Sequence, residues 1–516
     1  MQITILSTSD VHGYLMPTQY GSRHQNAPFG LSKVASVFKR EKEQGTTVCI
    51  ETGDFIQGSP LSYYIAKKDH HHVSELMDIP NMMGYDVGLV GNHEFNYGSE
   101  YLKEAVNASQ YPIIAANIID KKTKEPIFPP YVCLEKEDVK IGIIGVVTQY
   151  IPHWENPQHI EGLEFTSIIP AVERYVKELR SQVDLLIVAY HGGFERDLET
   201  GEPTEDLTGE NEGYELLQKV SGIDCLMTGH QHRVIATKIN GVPVVQPGFR
   251  GQYVGKVAFD LEKTDSGYQV KHALPSLIEV KDEVVDQNIA EKLAHLNEEV
   301  EDWLDQPLAK VVSGSMVIQD PNQARLEEHP YIEFIQKVQM EATGAKISGT
   351  ALFNNEGRGF NEEITMRDIV TNYVYPNTLA VERLTGKELK SAMEQSLSFF
   401  MVEDGKVGIN PSFIEPKPQY YNYDMYEGIE YEADLTKPVG ERLLTVKYDG
   451  HELQDDEVVE VVMNQYRAVG GGNYKMFSAD KIVKEVQIDM TELIADYLMR
   501  HQEIEATVNH NFKLHY

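Results

Sequence analysis

ITILSTSDVH at residues 3–12 is a β-branched run that ends in two side chains able to bind a metal. Four later stretches repeat the pattern: TVCIETGD at 47–54, DVGLVGNHE at 86–94, LLIVAYH at 185–191 and DCLMTGHQH at 224–232. The apolar runs are continuous rather than alternating, as in strands buried on both faces. Helical patterns separate most of them, with amphipathic spacing over 29–45 and 167–183. The expected fold is therefore α/β, a substantially parallel sheet layered between helices. Loops leaving the carboxyl ends of such strands converge on one edge. That convergence gathers Asp10, His12, Asp54, Asn92, His191, His230 and His232, which are spread along the chain from residue 10 to residue 232.

The 516 residues suffice for more than one domain at about 100–200 residues each. Residues 1–281 carry the strand and helix alternation, and VPVVQPGFRGQYVGKVAFDL at 242–261 reads as antiparallel strands closing that domain. Residues 282–306 have helical spacing and an acidic outer face, and read as a helical linker or hinge. Residues 307–516 mix helical patterns (331–343 and 386–400) with strand-like runs such as 457–467, an α+β second domain.

A net charge of −34 argues against nucleic-acid polymers and anionic membranes as partners, and leaves small molecules. Cys49, Cys133 and Cys225 are too few and too far apart for a disulfide framework or thiolate zinc site, and read as small buried hydrophobes. No secretory leader or long apolar span is visible, so the expected location is the cytoplasm, or outside it if a leader was trimmed. His70, His71 and His72 read as an exposed turn, because no partner ligand stands at a metal-site spacing from them. Nothing in the sequence specifies an oligomeric state.

Asp10 and His12 lie two apart, on one side of an extended segment. Asp54, Asn92, His191, His230 and His232 add carboxylate, amide oxygen and imidazole, with Gly58 free to allow a close backbone approach. A mixed oxygen and imidazole set without thiolate suits two divalent ions and is compatible with Mn, Zn or Fe. Two such ions bring +4 against −2 from Asp10 and Asp54, a local balance of about +2 that can attract phosphate despite the acidic surface.

The order DVH, GDFIQG, GNHE, AYH and GHQH resembles the calcineurin-like metallophosphoesterases. Over nearly its whole length the chain resembles the two-domain 5′-nucleotidase family, which includes 2′,3′-cyclic-nucleotide 2′-phosphodiesterases with 3′-nucleotidase activity. The resemblance implies one ion on Asp10, His12, Asp54 and His232 and a second on Asp54, Asn92, His191 and His230, with Asp54 bridging. It implies attack on phosphorus by a metal-bound hydroxide, with His93 stabilising the transition state or protonating the leaving oxygen. Many family members carry Asp three residues after that His; here GNHEFNYG places Asn96 there, as in the cyclic-phosphodiesterase branch. An amide oxygen orients an imidazole but supports its cation less than a carboxylate does.

The second domain carries PQYYNYDMYEGIEYEADL at 418–435 and NQYRAVGGGNYKMF at 464–477. By the same resemblance, two aromatic rings clamp the nucleobase; Tyr421 and Tyr474 are the choices, with Tyr423 the rival for the first. FNNEGRGF at 353–360 resembles the segment that offers Asn354 and Arg358 to substrate, and YPNTL at 375–379 reads as structural. The expected activity is hydrolysis of 2′,3′-cyclic nucleotides and 3′-nucleotides. The alternatives are a 5′-nucleotidase, a UDP-sugar or dinucleotide pyrophosphohydrolase, and a metal-containing nucleotide-binding protein without turnover.

Overall fold

A computed structural model describes the whole chain except residues 68–71, 154, 206, 266, 374–376, 415–417 and 487. His70 and His71, and the first two residues of YPNTL, lie outside the described residues. The chain divides into two compact units, Met1–Val300 and Glu301–Tyr516. The division falls inside one helix, Gln287–Leu304.

The first unit holds two six-stranded sheets. One runs, in hydrogen-bonded order, Gly267–Glu279, Tyr253–Thr264, Gln2–Thr8, Thr47–Glu51, Val87–Leu89 and Ile113–Ile114. The last four are parallel and the first two close the sheet antiparallel. The other runs Val234–Ile239, Val242–Pro247, Cys225–Thr228, Leu185–His191, Val139–Val147 and Tyr131–Lys136, with four parallel strands between antiparallel edges. Ile3, Ile5, Val48 and Ile50 from the first sheet and Ile141, Ile143, Leu185 and Ile187 from the second share one core, so the sheets face each other. Helices Ile168–Leu179 and Gly213–Lys219 cover the outer face of the second sheet through Val172, Val176, Leu216 and Leu217. Helix Leu31–Gln44 packs on the first. Leu185–His191 is buried at all seven positions, because one face meets the partner sheet and the other meets helices.

The metal-bearing runs are therefore divided between two sheets, not laid in one. Val139–Val147, an apolar run with no ligand at its end, supplies the second sheet with its own parallel core. The 242–261 region supplies antiparallel pairings as expected, but to both sheets: Val242–Pro247 belongs to one and Tyr253–Thr264 to the other, and residues 248–252 cross between them. Cys49 and Cys225 are buried as expected, but Cys133 is exposed. It lies on the edge strand Tyr131–Lys136, whose alternating burial turns that side chain outward.

The second unit is α+β. A five-stranded sheet runs Asp424–Glu427, Ile347–Ala351, Val458–Asn464, Leu379–Thr385 and Ile482–Val486, and a four-stranded sheet lies beside it in sequence. Helices Pro330–Thr343 and Gly386–Leu397 appear where the periodicity places them. Thr385 and Glu388 form a reciprocal capping box at the start of the second, satisfying otherwise unpaired backbone donors. Among the described residues no helix is long and apolar enough to cross a membrane.

Candidate metal centre

The ligand-bearing loops follow the carboxyl ends of parallel strands in both sheets, and five of the seven predicted ligands sit there in an unusual backbone conformation. Asp10, His12, Asp54, His230 and His232 all have φ between 51° and 69°. Left-handed backbone is uncommon for residues other than glycine and survives only where the surroundings impose it. Here the loops impose it on one another. Asp10 N–H donates to Gly53 O at 3.0 Å, His12 N–H to Asp54 O at 2.9 Å, and Arg250 N–H to Asp10 O at 2.8 Å. A Cβ on Gly58 would stand 2.7 Å from His12 Cβ, so only glycine lets that loop close over the imidazole.

Two groups of donor atoms result. Asp10, His12 and His232 form one; Asp54, His191 and His230 form the other, the atoms of each lying within 4.8 Å of one another. Asn92 Oδ1 joins the second group, 3.1 Å from His191 Nε2 and 2.9 Å from His230 Nδ1. His12 Nε2 and His232 Nε2 are 3.2 Å apart.

The outward nitrogens fix which atoms face inward. His191 Nδ1 donates to Thr52 O at 2.7 Å and His12 Nδ1 to Gln57 O at 3.0 Å, so each Nε2 turns a lone pair into the site. His230 Nε2 donates to Glu210 Oε1 at 3.0 Å, turning its Nδ1 inward. In the neutral ring His191 Nε2 thus joins Asp54 Oδ2 (3.1 Å) and Asn92 Oδ1 as a third converging acceptor; without metal, a proton on Nε2 meets Asp54 instead. A cation satisfies such a convergence and a neutral hydrogen-bond network does not, so the residues fit divalent metal.

The chain's own charges respond accordingly. Burial lowers the His191 imidazole's value, but Asp54, through charge and hydrogen bond, together with Asp10 and Glu94 outweighs it and raises it to about 10. Burial leaves His12 at about 3 despite the opposing pull of Asp54. Burial alone would raise Asp10, yet its hydrogen bond and charge contact with His232 bring it to about 2.

His93 stands beside these groups without joining either. Its N–H donates to Asp54 Oδ1 at 2.7 Å, its ring lies edge-on to His12 with centroids 5.2 Å apart, and its Nδ1 is 2.7 Å from Asn96 Oδ1. Gln231, between two ligands, points the other way and clasps Phe194 through N–H at 2.9 Å and O at 3.0 Å. That clasp sets the alternation that aims His230 and His232 inward.

Several supporting residues escaped the sequence reading. Glu94 accepts N–H groups from Asp54 (2.8 Å), Gly91 (2.6 Å) and Phe55 (2.6 Å), tying together the two ligand loops after the second and third strands. Phe249 stacks on His232 at 4.7 Å and 4°. Glu210 lies in an acidic loop with no distinguishing pattern; Glu94 stood in plain view within GNHE. Glu94 and Glu210 place further carboxylates beside Asp10 and Asp54, so the balance with two cations falls below the +2 counted from the two aspartates alone, although burial and Asp54 push the Glu94 carboxyl up. Attraction for phosphate is then a short-range property of the cations, not of the site's net charge.

In the second unit the expected clamp is only partly present. Tyr474 is 1% exposed and packs in the core. The Arg467 guanidinium lies 3.8 Å from its ring centroid, Phe477 stacks parallel to it at 5.7 Å, and its hydroxyl bonds Ser396 Oγ and Asn422 O. The Gly470–Gly472 turn causes this: it folds tightly around Arg467, and a Cβ on Gly472 would fall 2.1 Å from Asn422 Oδ1. Tyr423 is also core, against Phe399 and Phe400. Tyr421 is half-buried, and the ring edge-on to it, at 6.2 Å, is Tyr466, which is 43% exposed. Asn354 Oδ1 accepts Glu356 and Gly357 N–H at 3.0 and 2.7 Å, so it shapes its own loop, while Arg358 is exposed on that loop.

Comparison with known proteins agrees with this architecture. The calcineurin-like phosphoesterase family matches residues 3–234, and the 5′-nucleotidase C-terminal domain family matches residues 311–479. The crystal structure of a Staphylococcus aureus candidate 5′-nucleotidase in complex with α-ketoglutarate is 37% identical with a TM-score of 0.88, covering 100% of both chains. A 2′,3′-cyclic-nucleotide 2′-phosphodiesterase/3′-nucleotidase of Yersinia enterocolitica is 28% identical over 100% of this chain and 88% of its own length. A trifunctional nucleotide phosphoesterase protein of Bacillus subtilis is 27% identical over 100% of this chain, which spans 39% of that protein. The chain belongs to the 5′-nucleotidase family, with a calcineurin-like metallophosphoesterase unit followed by the family's C-terminal domain.

Proposed function

We propose that this chain hydrolyses phosphate esters of small nucleotides, with 2′,3′-cyclic nucleotides and 3′-nucleotides preferred. The observation that carries the reading is the pair of adjacent donor groups, Asp10/His12/His232 and Asp54/His191/His230, built from lone pairs that face each other. Asp10, His12 and His232 would hold one divalent cation, and Asp54, Asn92, His191 and His230 the other, with Asp54 shared; Mn, Zn and Fe all suit these donors. When bound, such a pair supplies Lewis-acid polarisation of the ester and the positive charge that the chain lacks.

The chain's own residues do the rest. Asn96 engages His93 Nδ1, leaving Nε2 to face the leaving oxygen; in the doubly protonated ring Nε2 gives its proton to that oxygen as the bond to phosphorus breaks, and the ring is left as the Nδ1–H tautomer that Asn96 holds. Tyr421 and Tyr466 take the nucleobase by stacking, in place of the expected Tyr421 and Tyr474 pair. Arg358 offers a guanidinium to an anionic group of the nucleotide.

The substrate preference is supported by Asn96 within GNHEFNYG and by the activity named for the Yersinia enterocolitica relative. The Staphylococcus aureus relative, at higher identity, favours a 5′-nucleotidase as the second reading. Mn²⁺-replete protein assayed on 2′,3′-cyclic AMP, 3′-AMP, 5′-AMP and UDP-glucose separates them. The first two should exceed 5′-AMP in kcat/KM by about tenfold, equivalent to about 1.4 kcal/mol. Preference for 5′-AMP supports the second reading, cleavage of UDP-glucose alone a pyrophosphohydrolase, and no turnover on any of the four a binding protein.

A further inference from the structure

Asn96 does not end the chain of contacts that begins at His93. Its Nδ2 lies 2.7 Å from Glu155 Oε2, across 59 residues of sequence. Glu155 is 8% exposed. Its Oε1 accepts the Asn156 N–H at 2.9 Å and faces His159 Nδ1 at 2.8 Å. The Asn156 N–H is an unambiguous donor that places Oε1 as an acceptor, and an ionised carboxylate offers only acceptors at Oε2 as well.

We propose that Glu155 is a positioning residue that sets the orientation and tautomer of His93 through Asn96. An isolated asparagine can present either end of its amide to a neighbour. A carboxylate at 2.7 Å removes the choice, because the amide oxygen turned toward it would meet another acceptor. Nδ2 therefore faces Glu155 and Oδ1 faces His93. An acceptor 2.7 Å from His93 Nδ1 requires Nδ1 to carry hydrogen, which leaves Nε2 as the nitrogen available to the reacting centre. The negative charge that a carboxylate at position 96 would bring next to the imidazole stands one residue further back, at Glu155, and reaches His93 through a polarised amide.

This polarity makes a substitution pattern that bulk packing does not. The role assigned to His93 rests on the reading given under Proposed function, but the tautomer does not. In ¹⁵N-histidine-labelled, Zn²⁺-loaded protein, the His93 signals are identified by their loss in His93→Ala. In the neutral ring they should show a protonated Nδ1 and an unprotonated Nε2 for the wild type, and a mixed or reversed pattern for Glu155→Gln. In turnover of 3′-AMP, Glu155→Gln should lower kcat by about 10–100-fold, the range for a supporting partner, with KM within about twofold. Asn96→Asp should also lose activity, because it sets two carboxylates face to face. The double variant Asn96→Asp/Glu155→Gln restores donor against acceptor and should return to within about threefold of wild type.

An unchanged His93 pattern in Glu155→Gln, or a double variant no better than Asn96→Asp alone, overturns the proposal. Absence of turnover in the wild type would instead sink the functional reading, while the nitrogen spectrum still decides the role of Glu155.

Discussion

Glu94→Gln keeps the shape of the side chain that holds the Asp54 and Asn92 loops together and changes one of its oxygens into a donor. In the native site Oε2 receives Asp54 N–H at 2.8 Å and Gly91 N–H at 2.6 Å, while Oε1 receives Phe55 N–H at 2.6 Å and a long contact from Ile56 N–H at 3.3 Å. The amide's best orientation keeps its oxygen on Asp54 and Gly91 and leaves the Phe55 N–H facing an NH₂ group. One buried orphan donor costs about 1–3 kcal/mol, and loss of charge assistance on the two retained bonds costs about 1 kcal/mol each. Burial and the repulsion of Asp54 push the Glu94 carboxyl up, so the variant recovers part of this by shedding a disfavoured charge. The expected net loss is about 2–4 kcal/mol, a large share of the ~5–15 kcal/mol by which domains are stable. Urea denaturation followed by circular dichroism should show it. Isothermal titration of chelator-stripped protein should show Mn²⁺ affinity reduced by about 10–100-fold, as for other partners behind a ligand shell. Stability within about 0.5 kcal/mol of wild type together with unchanged Mn²⁺ affinity would refute the argument that Glu94 holds the ligand loops.

Asp54→Asn should leave the protein unable to hold two metal ions and reduce turnover below detection; elemental analysis after dialysis against Mn²⁺ checks the first and phosphate release the second. Tyr421→Ala and Tyr466→Ala should each raise KM for nucleotides by about 5–150-fold, the equivalent of ~1–3 kcal/mol of stacking, and spare p-nitrophenyl phosphate. Tyr474→Ala should act on stability instead, by about 3–5 kcal/mol as for other large core rings, with nucleotide KM unmoved in whatever protein remains folded. In metal-free protein His191 is raised from 6.5 to about 10, burial opposing but outweighed by the charge and hydrogen bond of Asp54 together with the charges of Asp10 and Glu94. Its folded value lies above its unfolded one, so its stabilisation is complete below pH 6.5 and is lost as pH rises toward 10. Metal binding near pH 8 must therefore expel about one proton. Calorimetry in buffers of different ionisation enthalpy should detect it, and heats independent of buffer would contradict the assignment.

The candidate metal centre was legible because strand ends are. A continuous apolar run followed at once by a ligand states both the element and the edge where the ligand emerges, and this holds for Asp10, Asp54, Asn92, His191 and His230 alike. The division into two sheets was not legible: each run looks the same whether its neighbour is a strand of its own sheet or the face of another. Glu155 and Glu210 sit in irregular segments where no periodicity marks direction, and their importance appears only when the chain has folded. The Tyr-rich segments misled for a related reason. Composition says that rings are present but not which way they turn, and the Gly470–Gly472 turn is what sends Tyr474 inward and leaves Tyr466 at the surface.

Anomalous scattering from crystals grown with Mn²⁺ measures the central claim most directly. Two peaks should appear, one ringed by Asp10, His12 and His232 and one by Asn92, His191 and His230, with Asp54 reaching both. A single peak, or two peaks with Asp54 touching neither, would contradict a shared dinuclear centre.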